Sequence, residues 1–182
     1  MKSNTTQILK FLYLLSWIIF IGVCFEAGTF IFNTVFRLFI NPADASLFWQ
    51  EVDLTNLYDF DHGYYFIETS LMSLVAIVRA WIFYLIVKLL HDKKLNLAQP
   101  FNKDVERFIF RLSYLSFAIG LLSSWGAKFA KWFVAQGVEM PDVEDLRLGG
   151  ADVWLFMGVI LFIIGQIFKK GIEIQTENEL TI

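Results

Sequence analysis

One cysteine, Cys24, and two histidines, His62 and His91, are the whole stock of thiol and imidazole in 182 residues. A lone thiol excludes a disulfide framework, a Cys-x-x-Cys redox pair and a thiolate metal site, because each needs two sulfurs close together. Both histidines fall outside the apolar runs, which excludes bis-histidine haem ligation inside a bundle. A Gly-rich phosphate loop, a Gly-x-Ser-x-Gly elbow and a His-Glu-x-x-His pair are all missing. Asp59, Asp61 and His62 lie close together, yet their spacing matches no calcium loop and reads as a solvated acidic turn. The expectation is therefore a protein without enzymatic activity, metal or cofactor.

What is abundant is apolar: 57% of the chain is hydrophobic and 18% aromatic, against the 45–50% apolar content usual for soluble domains. Four spans of about 20 residues consume roughly 80 positions and leave about 100 for loops and tails, so four crossings fit and seven do not. The first apolar run extends from Phe11 to Phe36, interrupted only by Glu26. A cleaved signal peptide fits it poorly, since no small-x-small site follows Cys24 and the run continues beyond it. Further spans read as Phe66 to Val87, Leu112 to about Phe133, and Leu148 to Phe168, with a tail at 169–182. Asn41-Pro42, His62-Gly63, Gln99-Pro100, Met140-Pro141 and Gly149-Gly150 punctuate the connections. The expected fold is an all-α integral membrane protein, a four-helix bundle forming one membrane domain over residues 1–182.

Charge distribution orients it. Residues 88–111 hold Lys88, Lys93, Lys94, Lys103, Arg107 and Arg111, whereas 37–65 hold only Arg37 and 136–152 only Arg147. Positive residues near span ends resist translocation, so both termini and the middle loop are expected in the cytoplasm and the two acidic loops outside. The first outer loop carries scattered apolar residues, and Asn41-Pro42 has the form of a helix start, so a short interfacial helix is expected from Pro42 to about Val52. In the cytoplasmic loop, Asn102 is placed to cap the third span, with Asp104 and Glu106 complementing its dipole.

A charge in hydrocarbon costs several kcal/mol unless paired or wetted, which singles out Glu26, Arg79 and Lys128. Glu26 lies 16 residues beyond Lys10 and Lys128 lies 17 beyond Arg111, placing both roughly 25 Å above the cytoplasmic edge. Ser116, Gly120, Ser124 and Lys128 recur every four residues as a small, polar ridge. An intramembrane charged cluster is therefore expected, Glu26 pairing with Lys128 and joined by Glu68 or Asp152; snorkelling of these charges to the outer headgroups is the alternative. Arg79 sits about 13 Å from Lys88 and is expected to anchor at the inner leaflet.

After Lys169 and Lys170 the chain ends in Gly171-Ile172-Glu173-Ile174-Gln175-Thr176-Glu177-Asn178-Glu179-Leu180-Thr181-Ile182. Alternation of Ile172 with Ile174, and of Leu180 with Ile182, suits a strand added to a partner sheet; a frayed end, or a few more residues of helix, are the other readings. This ending resembles that of a bacterial family of four-span membrane proteins of unknown function (domain-of-unknown-function family 2975), whose members close with Glu-Asn-Asp-Leu-Thr-Val. The match here is Glu177-Asn178-Glu179-Leu180-Thr181-Ile182, with Glu for Asp and Ile for Val as departures. The basic then apolar-acidic approach from Phe168 to Ile174 and the Pro100-Phe101 turn are similar too.

The resemblance implies a place beside a small Cro/CI-type helix-turn-helix regulator and hence a membrane partner that tethers or restrains it. It establishes no site residues. The expectation is a non-enzymatic regulatory or sensory protein of the bacterial cytoplasmic (inner) membrane, with the lipid bilayer as partner and no direct nucleic acid binding. Glu173, Glu177, Asn178, Glu179, Leu180, Thr181 and Ile182 then form the partner-binding tail. Alternatives are a small transporter or channel subunit using Glu26, and a structural subunit of a membrane complex.

Overall fold

The structure, a computed structural model, describes residues 2–39, 52–92 and 101–179. Among these residues it is all-helical, with no strand: α1 (Lys2–Phe39), α2 (Thr55–Phe60), α3 (His62–His91), α4 (Lys103–Ala135) and α5 (Ala151–Glu179). Four of them hold stretches long and apolar enough to cross a membrane, Gln7–Arg37, His62–His91, Lys103–Ala135 and Ala151–Asn178. With 29 to 38 residues each, they reach roughly 44 to 57 Å and overshoot a hydrocarbon core of about 30 Å. The chain is a multi-pass membrane protein.

The long helices form a row in which α1 packs on α3, α3 on α4 and α4 on α5, while α2 packs on α3. Side-chain pairs fix their register. At what we call the lower end, the Tyr13 hydroxyl meets His91 Nδ1 at 3.0 Å; higher up, Phe20 meets Tyr84; at the upper end, Tyr64 meets Trp132, ring centroids 5.4 Å apart. The apolar residues of the first connection have their reason here: Val52, Leu54 and Leu57 are buried and join Tyr65, Phe133, Leu146 and Leu148 in one core. Asp53 starts α2 by accepting from the Thr55 amide at 2.8 Å and its hydroxyl at 2.6 Å. Those two bonds hold the Asp53 carboxyl below its ordinary range. The helix expected from Pro42 to Val52 lies, but for Val52, outside the described residues.

Capping follows the local sequence. Asp61 accepts from Tyr64 N at the start of α3, and Asn102 accepts from Val105 N at the start of α4, with Asp104 and Glu106 in that first turn. Close α4–α5 packing rests on missing side chains: Phe117 lies on Gly158, Phe110 on Gly165 and Phe101 on Gly171. Ser113, fully buried, donates to Gly158 O across that seam at 2.8 Å. Small residues let the backbones approach where lipid gives helices no hydrophobic reason to associate.

Of the three readings of the tail, continued helix holds as far as Glu179, where α5 ends, and the strand does not form there. Lys170 and Glu173 pair one turn apart at 3.0 Å, and the Thr176 hydroxyl donates back to Ile172 O at 2.9 Å. Leu180, Thr181 and Ile182 lie outside the described residues.

Candidate functional site: a charge cluster at a folded-back connection

At its upper end α4 closes with Gly137 in the left-handed region at φ 85°. Val138 N donates to Phe133 O and Gly137 N to Val134 O, the paired bonds of a Schellman ending. Residues 142–148 then form one turn closed the same way, Leu148 N to Val143 O and Arg147 N to Glu144 O. Here the left-handed position, normally glycine, is Arg147, at φ 58°. Leu146 and Leu148 are fully buried, and the Leu148 side chain sits directly against Gly126.

The connection thus descends before α5 begins. The Ala151 carbonyl oxygen lies 3.1 Å from where a Cβ on Gly120 would stand, and Gly120 is 15 residues short of the end of α4. At 1.5 Å per residue that is about 22 Å of descent. Non-helical backbone at such depth is sustained only where protein buries it or a polar cavity wets it, and this segment has both. Its leucines are buried, and its other side borders a recess of about 290 Å³ lined by Arg79, Glu144, Arg147, Gly149 and Gly150.

The descent brings Arg147 level with Glu26 and Arg79, which the Phe20–Tyr84 contact already sets opposite each other on α1 and α3. Arg147 Nε stands 3.5 Å from Glu26 Oε1. Arg79 Nη2 donates to the Arg147 carbonyl at 2.8 Å, and its guanidinium lies over the Trp154 ring of α5 at 5.9 Å. The Glu26 carboxylate is also close enough to Arg79 to act on it electrostatically. One residue, Arg147, therefore ties α1 through its side chain and α3 through its backbone. The cluster is incompletely satisfied: Glu26 Oε1 and Arg79 Nε are both buried without a hydrogen-bond partner among the described residues.

Two sequence expectations are corrected by this geometry. Glu26 pairs with Arg147 and not with Lys128, because Lys10 and Arg111 do not mark a common level. Tyr13 meets His91, and the stretch from Lys88 to Asp92 shares a recess with Asp104, Arg107 and Arg111; Tyr13 is thus level with the start of α4, and Lys128 stands about 15 Å above Glu26. Arg79 does not snorkel to the lower end, since the Arg147 carbonyl and the Trp154 face lie within its reach.

Glu68 and Asp152 stand apart from the cluster. Glu68 is fully buried on α3 with both carboxylate oxygens lacking a hydrogen-bond partner, and no described charged group acts on it. Asp152 is exposed in the first turn of α5, where it faces the positive end of the helix dipole. The Ser116-Gly120 part of the small-residue ridge is buried, and Gly120 packs on Leu155; Lys128, at its far end, is exposed. In the tail, Glu173 pairs with Lys170 and the exposed Glu177 and Asn178 ride the last turns of α5.

Arg147 is the functional residue that the sequence does not single out, because in 136–152 it is simply the one positive charge of an acidic loop. A signal was present: Leu146 and Leu148 flank it, and Gly149-Gly150 follow. Two leucines and a double glycine in so acidic a segment indicate backbone that turns into the protein.

Residues 11–182 match a family model described as a protein of unknown function, DUF2975. No curated protein and no solved structure matches the chain significantly.

Proposed function

The chain belongs to the DUF2975 family of proteins of unknown function, and we propose that it works as a non-enzymatic sensory or regulatory protein of a bacterial cytoplasmic membrane, with both ends inside. In this reading the folded-back α4–α5 connection is the sensing element. Its position is passed along α5 to the C-terminal residues, where a cytoplasmic helix-turn-helix regulator is held. The observation that carries the reading is Arg147, a non-glycine residue in a strained backbone conformation whose side chain and carbonyl are the connection's polar ties to α1 and α3. Strain combined with unsatisfied polar atoms is the setting in which a segment has two arrangements of similar energy. Supporting transmission, α5 is unbroken from Ala151, beside the cluster, to Glu179. Support for the topology comes from the Lys/Arg bias toward the His91 end, including Lys88, Lys103, Arg107 and Arg111.

The test is a crosslinked pull-down from native membranes, comparing the full chain with one stopped after Lys170, followed by mass spectrometry. A helix-turn-helix protein recovered only with the complete chain supports the reading, and Glu26→Gln or Arg147→Gln should change the amount recovered. Recovery of no such protein with either form overturns it and moves the weight to transport, for which substrate flux in proteoliposomes that vanishes in Glu26→Gln is the signature.

A further inference from the structure

We propose that the recess between α3 and α4 beside Lys128 binds an anionic phospholipid of the surrounding bilayer. The recess measures about 350 Å³ and is lined by Tyr64 of α3 and by Trp125, Lys128, Phe129 and Trp132 of α4. That is within the roughly 300–1,000 Å³ of ordinary ligand sites. The spacing of 125, 128, 129 and 132 places all four on one face of α4.

Its wall is set in advance. Fully buried Phe133 makes ring contacts with both Tyr64 and Trp132, at 5.6 and 5.3 Å, so the two wall rings are pinned by the core. Trp125 and Trp132 nonetheless leave 59% and 41% of their surface uncovered, so they have capacity beyond what packing uses. Among the described residues Lys128 is the one charged side chain lining the recess, and it enters no ion pair there.

The chemistry of the occupant follows from what this lining rewards. A soluble anion would use only the ammonium, and an uncharged lipid only the rings. A phospholipid with a net negative headgroup uses both, its chain along the aromatic wall and its phosphate on Lys128. An unpaired ammonium on a spanning helix is costly, and a phosphate offsets that cost. The exposed rings lie on the flank of a spanning helix, which makes the bilayer the source of the ligand.

The experiment uses the full chain in phosphatidylcholine vesicles doped with brominated phosphatidylglycerol or, in parallel, brominated phosphatidylcholine, read by tryptophan fluorescence quenching. The expected result is stronger quenching by the anionic lipid, with an apparent affinity about fivefold higher, the worth of one lysine at an anionic membrane. Lys128→Gln should remove that preference and leave phosphatidylcholine quenching unchanged, while Lys128→Arg should keep it. Trp125→Phe combined with Trp132→Phe should remove the selective component, because these two indoles are the reporters at the recess; selective quenching that survives in the double variant would place the lipid elsewhere. Exposed Lys131, close by but outside the lining, is the control. Equal quenching by the two lipids, a preference that survives Lys128→Gln, or one that Lys131→Gln removes equally well would each overturn the proposal. Should Lys128→Gln fail to reconstitute, Lys128→Arg, which should keep the preference, and Lys131→Gln, which should leave it unchanged, still decide it.

Discussion

The Arg147 guanidinium stands 3.5 Å from the Glu26 carboxylate across a gap that neither α1 nor α5 closes by direct packing. Among the described residues α1 packs chiefly on α3 and α5 chiefly on α4, so at this level the ion pair joins the ends of the row through a connection. The joint has two opposing parts. The ion pair and the Arg79 bond hold the connection down, while φ 58° at Arg147 pushes against it.

The opposition can be separated by two substitutions at one position. Arg147→Ala loses the pair and keeps the left-handed backbone, whereas Arg147→Gly loses the pair and relieves the backbone. A left-handed L-residue costs about 1–2 kcal/mol that glycine does not incur. The glycine variant should therefore be the more stable of the two by about 1 kcal/mol in thermal unfolding in detergent. Equal stabilities would mean that Arg147 is not strained.

Partner choice is tested by coupling. The cycle formed by Glu26→Gln and Arg147→Gln should give an interaction energy of about 0.5–3 kcal/mol, the range for residues in contact. The cycle of Glu26→Gln with Lys128→Gln should be additive, because Lys128 stands two to three turns higher. Coupling in the second cycle and none in the first would restore the Glu26–Lys128 pair and remove Arg147 from the site.

How far the sequence could be read depended on which physical quantity was asked of it. Apolar run length determines spans almost alone, and residues 11–36, 66–87 and 112–133 lie within α1, α3 and α4. The fourth was expected from Leu148, yet α5 starts at Ala151 because Gly150 is left-handed and Leu148 is committed to Gly126. Glu26 and Arg79 were legible as costly charges, but depth was not. Relative height depends on how helices slide against one another, and that is fixed by pairs such as Phe20 with Tyr84 and Phe110 with Gly165 that no single helix encodes. Charge counts could not show a connection that folds back along α4, because half-exposed Arg147 looks the same to them whether or not its backbone descends; the flanking Leu146 and Leu148, both buried, carried that signal.

The descent itself depends on Gly126. A methyl group there collides with the Leu148 side chain, so Gly126→Ala should lift the connection and loosen Arg147 from Glu26. Overpacking of this kind costs about 1–3 kcal/mol. Leu148→Ala removes the obstructing atoms, and the double variant should recover part of the loss seen with Gly126→Ala. If Gly126→Ala is silent by itself, the connection does not rest on that contact.

Glu68 poses the opposite question, a carboxyl group whose removal should help. It is fully buried, neither oxygen has a hydrogen-bond partner, and no described charge compensates it. An unsatisfied buried polar group costs about 1–3 kcal/mol and more if charged. Methionine is unbranched, follows a similar path through the core and carries no such cost, so Glu68→Met should raise the thermal midpoint. Glu68→Ala ends the same desolvation but opens a cavity, which costs about as much as it gains, and should melt near the wild type. The informative result is the order, methionine above both. A methionine variant less stable than wild type would mean that the buried Glu68 carboxyl group is not a net cost to the fold.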